Sequence, residues 1–352
     1  MSDRTMMAAV YHGANDIRVE PYPIPEIGPD EALIKVVSAG ICGTDLRIMH
    51  GAHRKFPEGT VRIPGHEVVG DIAEVGPEVE GVSVGQRVFV APNMGCGHCR
   101  QCVSGNNNRC STYEALGVTM DGAFAEYMRV PAAAIRQGNL IPVSEDTDPA
   151  AAALLEPFAC VLRGQNALNI RSGDAVLVVG AGPIGVMHTM LARINGAARV
   201  IVSDLVSDRL VIAENAGADR TINPTEEDLE AVLDDVTSGL GPDVIIVAAP
   251  AHRAQEQALE LAAIGGRINF FGGLPKDRPT ITFDSNLVHY KELTVTGTTG
   301  SSTANCWRAA EIVGAGRADL TPLVSARYPL EQTAEAFEAA EDRDLLKIVI
   351  EP

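Results

Sequence analysis

The chain has 352 residues, 46% of them hydrophobic and 21% charged, with 46 Asp and Glu against 28 Lys and Arg for a formal net charge of −18. That length predicts about two domains with sizeable cores, and so acidic a surface repels phosphate backbones and anionic lipid, which argues against nucleic-acid and membrane partners. No run approaches the roughly 18 apolar residues of a membrane span, the start MSDRTMMAAVYHG has no secretory pattern, and seven cysteines with four clustered point to metal thiolates in a reducing, cytoplasmic setting.

Residues 1–155 alternate short β-like runs (ALIKVVSAG, VVGDIAEVG, QRVFVAP) with Gly- and Pro-rich turns, which predicts a mainly β domain with long functional loops. From about residue 156 to 295 the texture changes. Strand-like AVLVVG, RVIVSD, DVIIVAA and RINFFGG alternate with helix-like GVMHTMLARIN, DRLVIAENAG, TEEDLEAVLDDV and HRAQEQALELAAIG. Such alternation predicts βαβ units on a parallel sheet, and continuously apolar strands fit a sheet covered on both faces. From about 296 to 352 the pattern is irregular again, with LTPLVSARYPL, a helix-like QTAEAFEAAED and a closing KIVIEP strand. This tail is expected to rejoin the first domain. The fold class is therefore α/β: a doubly wound, Rossmann-type parallel-sheet domain (156–295) beside a mainly β domain (1–155 and 296–352).

Within the first domain Cys96, Cys99, Cys102 and Cys110 form C-x2-C-x2-C-x7-C in a polar loop of about residues 94–112. Four thiolates so close together match the closed tetrahedral shell of a structural zinc, which would stabilise a lobe lacking an apolar core of its own. An iron–sulfur cluster is the alternative. His98 lies inside the loop, but four sulfurs already fill the shell.

After the strand AVLVV come Gly180, Ala181, Gly182, Pro183, Ile184 and Gly185, then a helix. This is G-x-G-x-x-G in the strand–turn–helix setting that binds a dinucleotide pyrophosphate at a helix N-terminus. Asp204 ends the next strand, 19 residues beyond Gly185. Its carboxylate suits ribose hydroxyls and repels a 2′-phosphate, which favours NAD over NADP. Arg209 follows, as a solvated helix residue or a neighbour of the adenine.

Cys42 stands in AGICGTD, His66 and Glu67 in PGHE, and Glu156 in LLEP. A thiolate, an imidazole and a carboxylate suit a catalytic zinc with one open position, but spacing alone does not join residues so far apart. Taken together with the four-cysteine loop, the run Gly122–Ala123–Phe124–Ala125–Glu126–Tyr127, the glycine turn and Lys347 in the closing strand, these motifs resemble the medium-chain dehydrogenase family, in particular its zinc-binding polyol branch with the sorbitol and threonine dehydrogenases. The resemblance runs along essentially the whole chain. It implies a GroES-like catalytic domain and a catalytic zinc on Cys42, His66 and either Glu67 or Glu156, besides the structural zinc. It implies oxidation of a secondary alcohol of a polyol, cyclitol or sugar derivative to a ketone, with hydride passing to NAD and Thr44 taking the alcohol proton. A phosphorylated polyol or a threonine-like 3-hydroxy amino acid are alternative substrates, and a non-catalytic NAD-binding zinc protein is the alternative class. It also implies a homo-oligomer, a tetramer rather than a dimer.

Two departures from the family pattern stand out. Arg47 replaces the histidine expected three residues after Thr44, and arginine cannot shuttle a proton at neutral pH; His50 is the nearest substitute. The loop Thr298–Thr299–Gly300–Ser301–Ser302–Thr303 lacks the arginine that related enzymes often carry, and its hydroxyls suit a neutral, hydroxyl-rich ligand. Phe124 is read as an apolar wall of the site or a core residue, Cys160 as a buried thiol and Trp307 as a helix anchor.

Overall fold

The structure is a computed structural model that describes residues 4–352. They divide into two units, the first running up to Ala159 and resuming at Ser301–Pro352, the second Cys160–Gly300. These divisions fall a few residues beyond the changes of texture near 156 and 296. The helix Leu155–Leu168 carries the chain across the first of them.

The first unit is built on a seven-stranded, mostly antiparallel sheet in the order Val324–Pro329, Lys347–Glu351, Ala32–Gly40, Glu67–Val75, Arg87–Val90, Leu140–Pro142, with Tyr127–Val130 also pairing with Ala32–Gly40. The run ALIKVVSAG becomes its central strand because nearly every side chain is buried, which its β-branched residues favour. Ile34, Val36, Ile72, Val88, Phe124, Phe337, Ile348 and Ile350 form the core against it. Register then places Gly40 opposite both Glu67 and Val349. The end of Ala32–Gly40, the start of Glu67–Val75 and the strand Lys347–Glu351 thus lie side by side within the sheet, where Ile41 N–H donates to Ile348 O at 2.9 Å. The short helix Pro149–Ala153 packs on this sheet, capped by Asp148, whose Oδ1 accepts the Ala151 N–H at 3.1 Å.

The second unit is a six-stranded parallel sheet in the order Arg220–Ile222, Arg199–Ser203, Ala175–Val179, Val244–Val247, Arg267–Phe270, Thr294–Gly297. This is the doubly wound order with its reversal beside Ala175–Val179, the strand that feeds the glycine turn. Helices Pro183–Ile194, Ser207–Asn215, Leu229–Thr237 and His252–Leu261 alternate with the strands as their sequence texture indicates. One of them starts later than TEEDLEAVLDDV suggests, since Asp228 accepts from Glu230 and Ala231 N–H and so makes Leu229 the first helical residue. Among the described residues no helix is long and apolar enough to cross a membrane.

Candidate functional site

The strand Ala32–Gly40 delivers Cys42 to the start of the helix Gly43–Met49 in extended conformation. Three residues on, the fully buried Asp45 accepts the Cys42 N–H through Oδ2 at 2.9 Å. Its other oxygen lies 3.5 Å from Nδ1 of His66. Burial disfavours a charged imidazole, but the Asp45 carboxylate and the Cys42 sulfur outweigh it and hold the basicity of His66 well above its ordinary value. Glu67 begins the next strand and is fully buried. Its Oε2 is 2.5 Å from Lys347 Nζ, which also donates to Ile41 O at 2.7 Å. A Cβ at position 40 would stand 2.2 Å from Glu67 Oε2, so any larger residue there would displace the Glu67 carboxylate.

Two groups of ligand atoms gather within 4.8 Å among the described residues: Cys42 with His66 and Glu67, and the four lobe cysteines. In the first group Glu67 Oε1 is buried without a hydrogen-bond partner, an expensive arrangement unless a cation meets it. In the second, sulfurs stand 3.5 Å (Cys99–Cys102), 3.8 Å (Cys99–Cys110) and 4.0 Å (Cys96–Cys102) apart. A tetrahedron with zinc–sulfur bonds of about 2.3 Å has edges of about 3.8 Å. The Thr112 hydroxyl and the Cys96 amide hold the Cys110 thiol down at about 6, whereas burial pushes Cys102 up to about 12. Among themselves these sulfurs do not all favour the thiolate, so a divalent cation at their centre is the natural complement. All seven cysteines are free thiols. His98 turns its Nδ1 to Cys96 O at 2.9 Å, away from the ligand set. Both donor sets therefore fit zinc.

Glu156 lies in the first turn of its helix, buried, and accepts from Ser301 Oγ at 3.3 Å. It is not part of the Cys42–His66–Glu67 group. Ser301 also touches Cys306 Sγ at 3.5 Å, and burial pushes that thiol up to about 12. Thr44 is half-buried on the helix after Cys42, and the exposed Arg47 donates to its Oγ1 at 3.1 Å. His50 engages both ring nitrogens elsewhere, with Asn15 Oδ1 at 3.1 Å and Glu341 Oε1 at 2.5 Å. Phe124 is a core residue, edge-on to Phe337 at 5.8 Å.

Within the hydroxyl run Thr298–Thr303, the last three residues turn their hydroxyls inward, while Thr299 is exposed. Ser302 caps the helix Thr303–Gly314, accepting from Asn305 N–H and donating to Asn305 Oδ1 at 2.9 Å. Thr303 donates to Asn139 Oδ1 at 3.0 Å. Ser301, Ser302 and Thr303 are all buried, their hydroxyls committed to protein partners. Trp307, on the same helix, bonds Gly138 O at 2.9 Å and does anchor it.

In the second unit Gly182 is the N-cap of the helix that starts at Pro183 and Ile184. Gly185 is obligatory, since a Cβ there would lie 1.7 Å from Gly180 O. Asp204 faces this turn. Its Oδ2 accepts the Ala181 N–H at 2.5 Å and its Oδ1 the Val206 N–H at 2.9 Å. Arg209 reaches back over the turn, with Nη1 3.6 Å from where a side chain at Gly182 would begin. Asp45, Gly40, Lys347 and Ser301 are the supporting residues that sequence reasoning gave no individual role. A carboxylate three residues after Cys42 was the available signal for Asp45.

Residues 28–142 match the alcohol dehydrogenase GroES-like domain and residues 183–313 the zinc-binding dehydrogenase domain. The L-threonine 3-dehydrogenase of Pyrococcus horikoshii is 36% identical over 332 residues, 93% of this chain and 92% of that protein. A zinc-binding dehydrogenase of Sinorhizobium meliloti 1021, solved bound to NADP, superposes with a TM-score of 0.91 at 32% identity over 99% of this chain and 100% of its own. The 2R,3R-butanediol dehydrogenase of Bacillus subtilis superposes with a TM-score of 0.89 at 28% identity over 99% of each chain. With a GroES-like unit, a Rossmann unit and two zinc-compatible donor sets, the chain belongs to the zinc-containing medium-chain alcohol dehydrogenase family.

Proposed function

We propose that this chain is an NAD-dependent dehydrogenase that oxidises a secondary alcohol of a polyol, cyclitol or sugar derivative to the ketone. The observation that carries the reading is the convergence of Cys42, His66 and Glu67 within 4.8 Å, with an unsatisfied carboxylate oxygen among them. Those three residues would hold the catalytic zinc, and Cys96, Cys99, Cys102 and Cys110 the structural one. Zinc supplies Lewis acidity that lowers an alcohol's pKa by several units, and NAD accepts the hydride.

The protein's own residues do the rest. Asp45, 3.5 Å from His66 Nδ1, raises the basicity of the ring and would leave Nε2 for the metal. Lys347 holds Glu67 and the Ile41 carbonyl next to Cys42 together, which fixes the spacing of the donor set. Thr44 Oγ1 accepts from Arg47, so its own proton is free to exchange as it takes the proton of the substrate hydroxyl. Arg47 stays charged and cannot carry the proton further, and His50 is held by Asn15 and Glu341. With neither available, release from Thr44 would run to water or to hydroxyls of the bound cofactor. The carboxylate of Asp204 at the glycine turn supports NAD over NADP. The exposed Val295 on the edge strand Thr294–Gly297 suits a homo-oligomer built through this sheet, and the reading extends to a cytoplasmic tetramer.

A second reading, oxidation of a threonine-like 3-hydroxy amino acid, is favoured by the similarity to L-threonine 3-dehydrogenases. The inward-turned hydroxyls of Ser301, Ser302 and Thr303 remove one argument for a hydroxyl-rich ligand. Zinc analysis of the purified chain and NADH formation across polyols, cyclitols, their phosphates and L-threonine test both readings. Two zincs and turnover of a polyol support the first reading, and turnover of L-threonine alone replaces it with the second. A single zinc with no turnover across the panel overturns both.

A further inference from the structure

We propose that Ser301 is a positioning residue for Glu156, and that the four-cysteine lobe holds Ser301 in place through Asn107. The inference rests on the alcohol dehydrogenase reading, and takes from it Glu156, which lies outside the Cys42–His66–Glu67 group, as the alternative to Glu67 for the carboxylate that serves the metal.

Asn107 lies between Cys102 and Cys110, in a single 3-10 turn, and is buried. An amide side chain offers two donor hydrogens and an acceptor oxygen, and here each has a partner. Oδ1 accepts the Thr303 N–H at 3.0 Å, while Nδ2 donates to Asn93 O and to Thr303 Oγ1, both at 2.9 Å. Thr303 passes its hydroxyl hydrogen to Asn139 Oδ1 at 3.0 Å. Asn139 in turn donates to Ala91 O at 2.7 Å and Asn93 O at 2.9 Å. Asn93 then donates through its own side chain to Ser301 O at 2.9 Å. The backbone of Ser301 is thus held directly by Asn93 and, two residues on, by Asn107. On the far side of the lobe, Gln137 grips the residue before Cys96, bonding Gly95 N–H at 3.0 Å and Gly95 O at 2.8 Å.

At the other end of this network the hydroxyl of Ser301 is fully buried and has two neighbours, Glu156 Oε1 and Cys306 Sγ. A hydroxyl carries one hydrogen, and an ionised carboxylate only accepts. Ser301 therefore donates to Glu156, and Cys306 donates its S–H to Ser301. The hydroxyl of Ser301 thus constrains one oxygen of the Glu156 carboxyl. A fully satisfied buried network of this kind rigidifies what it touches. Order in the lobe, which its metal would impose, is in this way passed to Glu156 through Ser301, 145 positions further along the sequence.

The test uses the holoenzyme and follows zinc release to a chromogenic chelator alongside kcat, KM and melting temperature, in Ser301→Ala, Ser301→Thr, Asn107→Asp and Glu156→Gln. Cys102→Ser identifies which phase of release belongs to the lobe. Ser301→Ala is expected to release the other zinc about 10-fold faster and to lose about 10-fold in kcat with KM nearly unchanged, the scale of removing a partner of a metal-site residue. Ser301→Thr, which keeps the hydroxyl, is expected to restore both. Asn107→Asp keeps the acceptor for Thr303 N–H, loses both donors, and is expected to quicken both phases. Wild-type release and kcat in Ser301→Ala overturn the proposal, as does a failure of threonine to rescue at equal melting temperature. Wild-type release in Glu156→Gln also overturns it and leaves the alcohol dehydrogenase reading standing. A wild-type chain with no second zinc overturns both.

Discussion

Lys347 Nζ stands 2.5 Å from Glu67 Oε2, with both side chains buried and 280 positions of sequence between them. Burial works against the charged amine, but Glu67, with Cys42 and Asp45 beside it, keeps Lys347 protonated more firmly than an ordinary lysine. Removing one member of such a pair strands the other's charge, at about 3–5 kcal/mol. Lys347→Met is expected to lower the urea midpoint by an amount of that order. The double variant Lys347→Met/Glu67→Gln should recover most of the loss, and a double variant no more stable than the single one would show that the pair is not coupled.

The cysteine lobe makes a separate prediction. Cys102→Ser should reduce zinc from two ions per chain to one and expose the loop of residues 96–110 to limited proteolysis. Chelation of the wild-type chain should open the same loop, and a lobe that resists protease without metal would remove the need for it.

Thr44→Val with zinc content unchanged is expected to lower kcat by about 100-fold, the scale of a lost proton acceptor. Arg47→Ala leaves the hydroxyl in place and should cost far less. Near-normal turnover in Thr44→Val would end the proton role assigned to that residue.

The proposed preference for NAD rests on Asp204. Asp204→Ser is expected to reduce kcat/KM with NAD by about 10-fold, roughly the 1.4 kcal/mol of one hydrogen bond to a charged group. It should gain activity with NADP as the repulsion of a 2′-phosphate disappears. An unchanged ratio of the two cofactors would place the discrimination elsewhere.

His188 sets an acid limit on the second unit. It is fully buried, edge-on to Phe271 at 4.8 Å, with Gln165 Nε2 3.3 Å from Nδ1, and burial pushes it down from 6.5 to about 3. Below pH 6.5 the unfolded chain therefore takes up a proton that the folded chain refuses, so stability is full above pH 6.5 and falls as pH drops toward 3. Between pH 6 and 4 the slope from this group approaches about 1.4 kcal/mol per pH unit. Urea titrations at several pH values should show His188→Leu losing less stability than wild type over that window, and parallel profiles would refute the assignment.

Much of this architecture is written locally. Short, valine-rich apolar runs such as AVLVV and VIIV bounded by turn residues read as strands covered on both faces, and the cysteine spacing closes a cluster within one loop. The strand Arg220–Ile222 escapes because it has three residues, two of them polar, and forms only by pairing with Arg199–Ser203. The supports of the candidate site escape for a different reason. Lys347 meets Ile41 across 306 positions, and Thr303 meets Asn107 across 196, and no pattern in the sequence encodes such pairings. The hydroxyl run was open to a better reading. Ser302 followed three residues later by Asn305 has the spacing of a helix cap, and a cap turns its hydroxyl toward the backbone rather than toward a ligand.

The closing strand Lys347–Glu351 lies inside its sheet, flanked by Val324–Pro329 and Ala32–Gly40. During translation the residues of the second unit, a continuous stretch, can begin to fold as soon as they leave the ribosome. The first unit must wait with a gap in its middle until residue 351 has been made, and Lys347 arrives with that last segment. Nascent chains stalled before it should therefore present an open sheet edge to chaperones while already able to hold a dinucleotide.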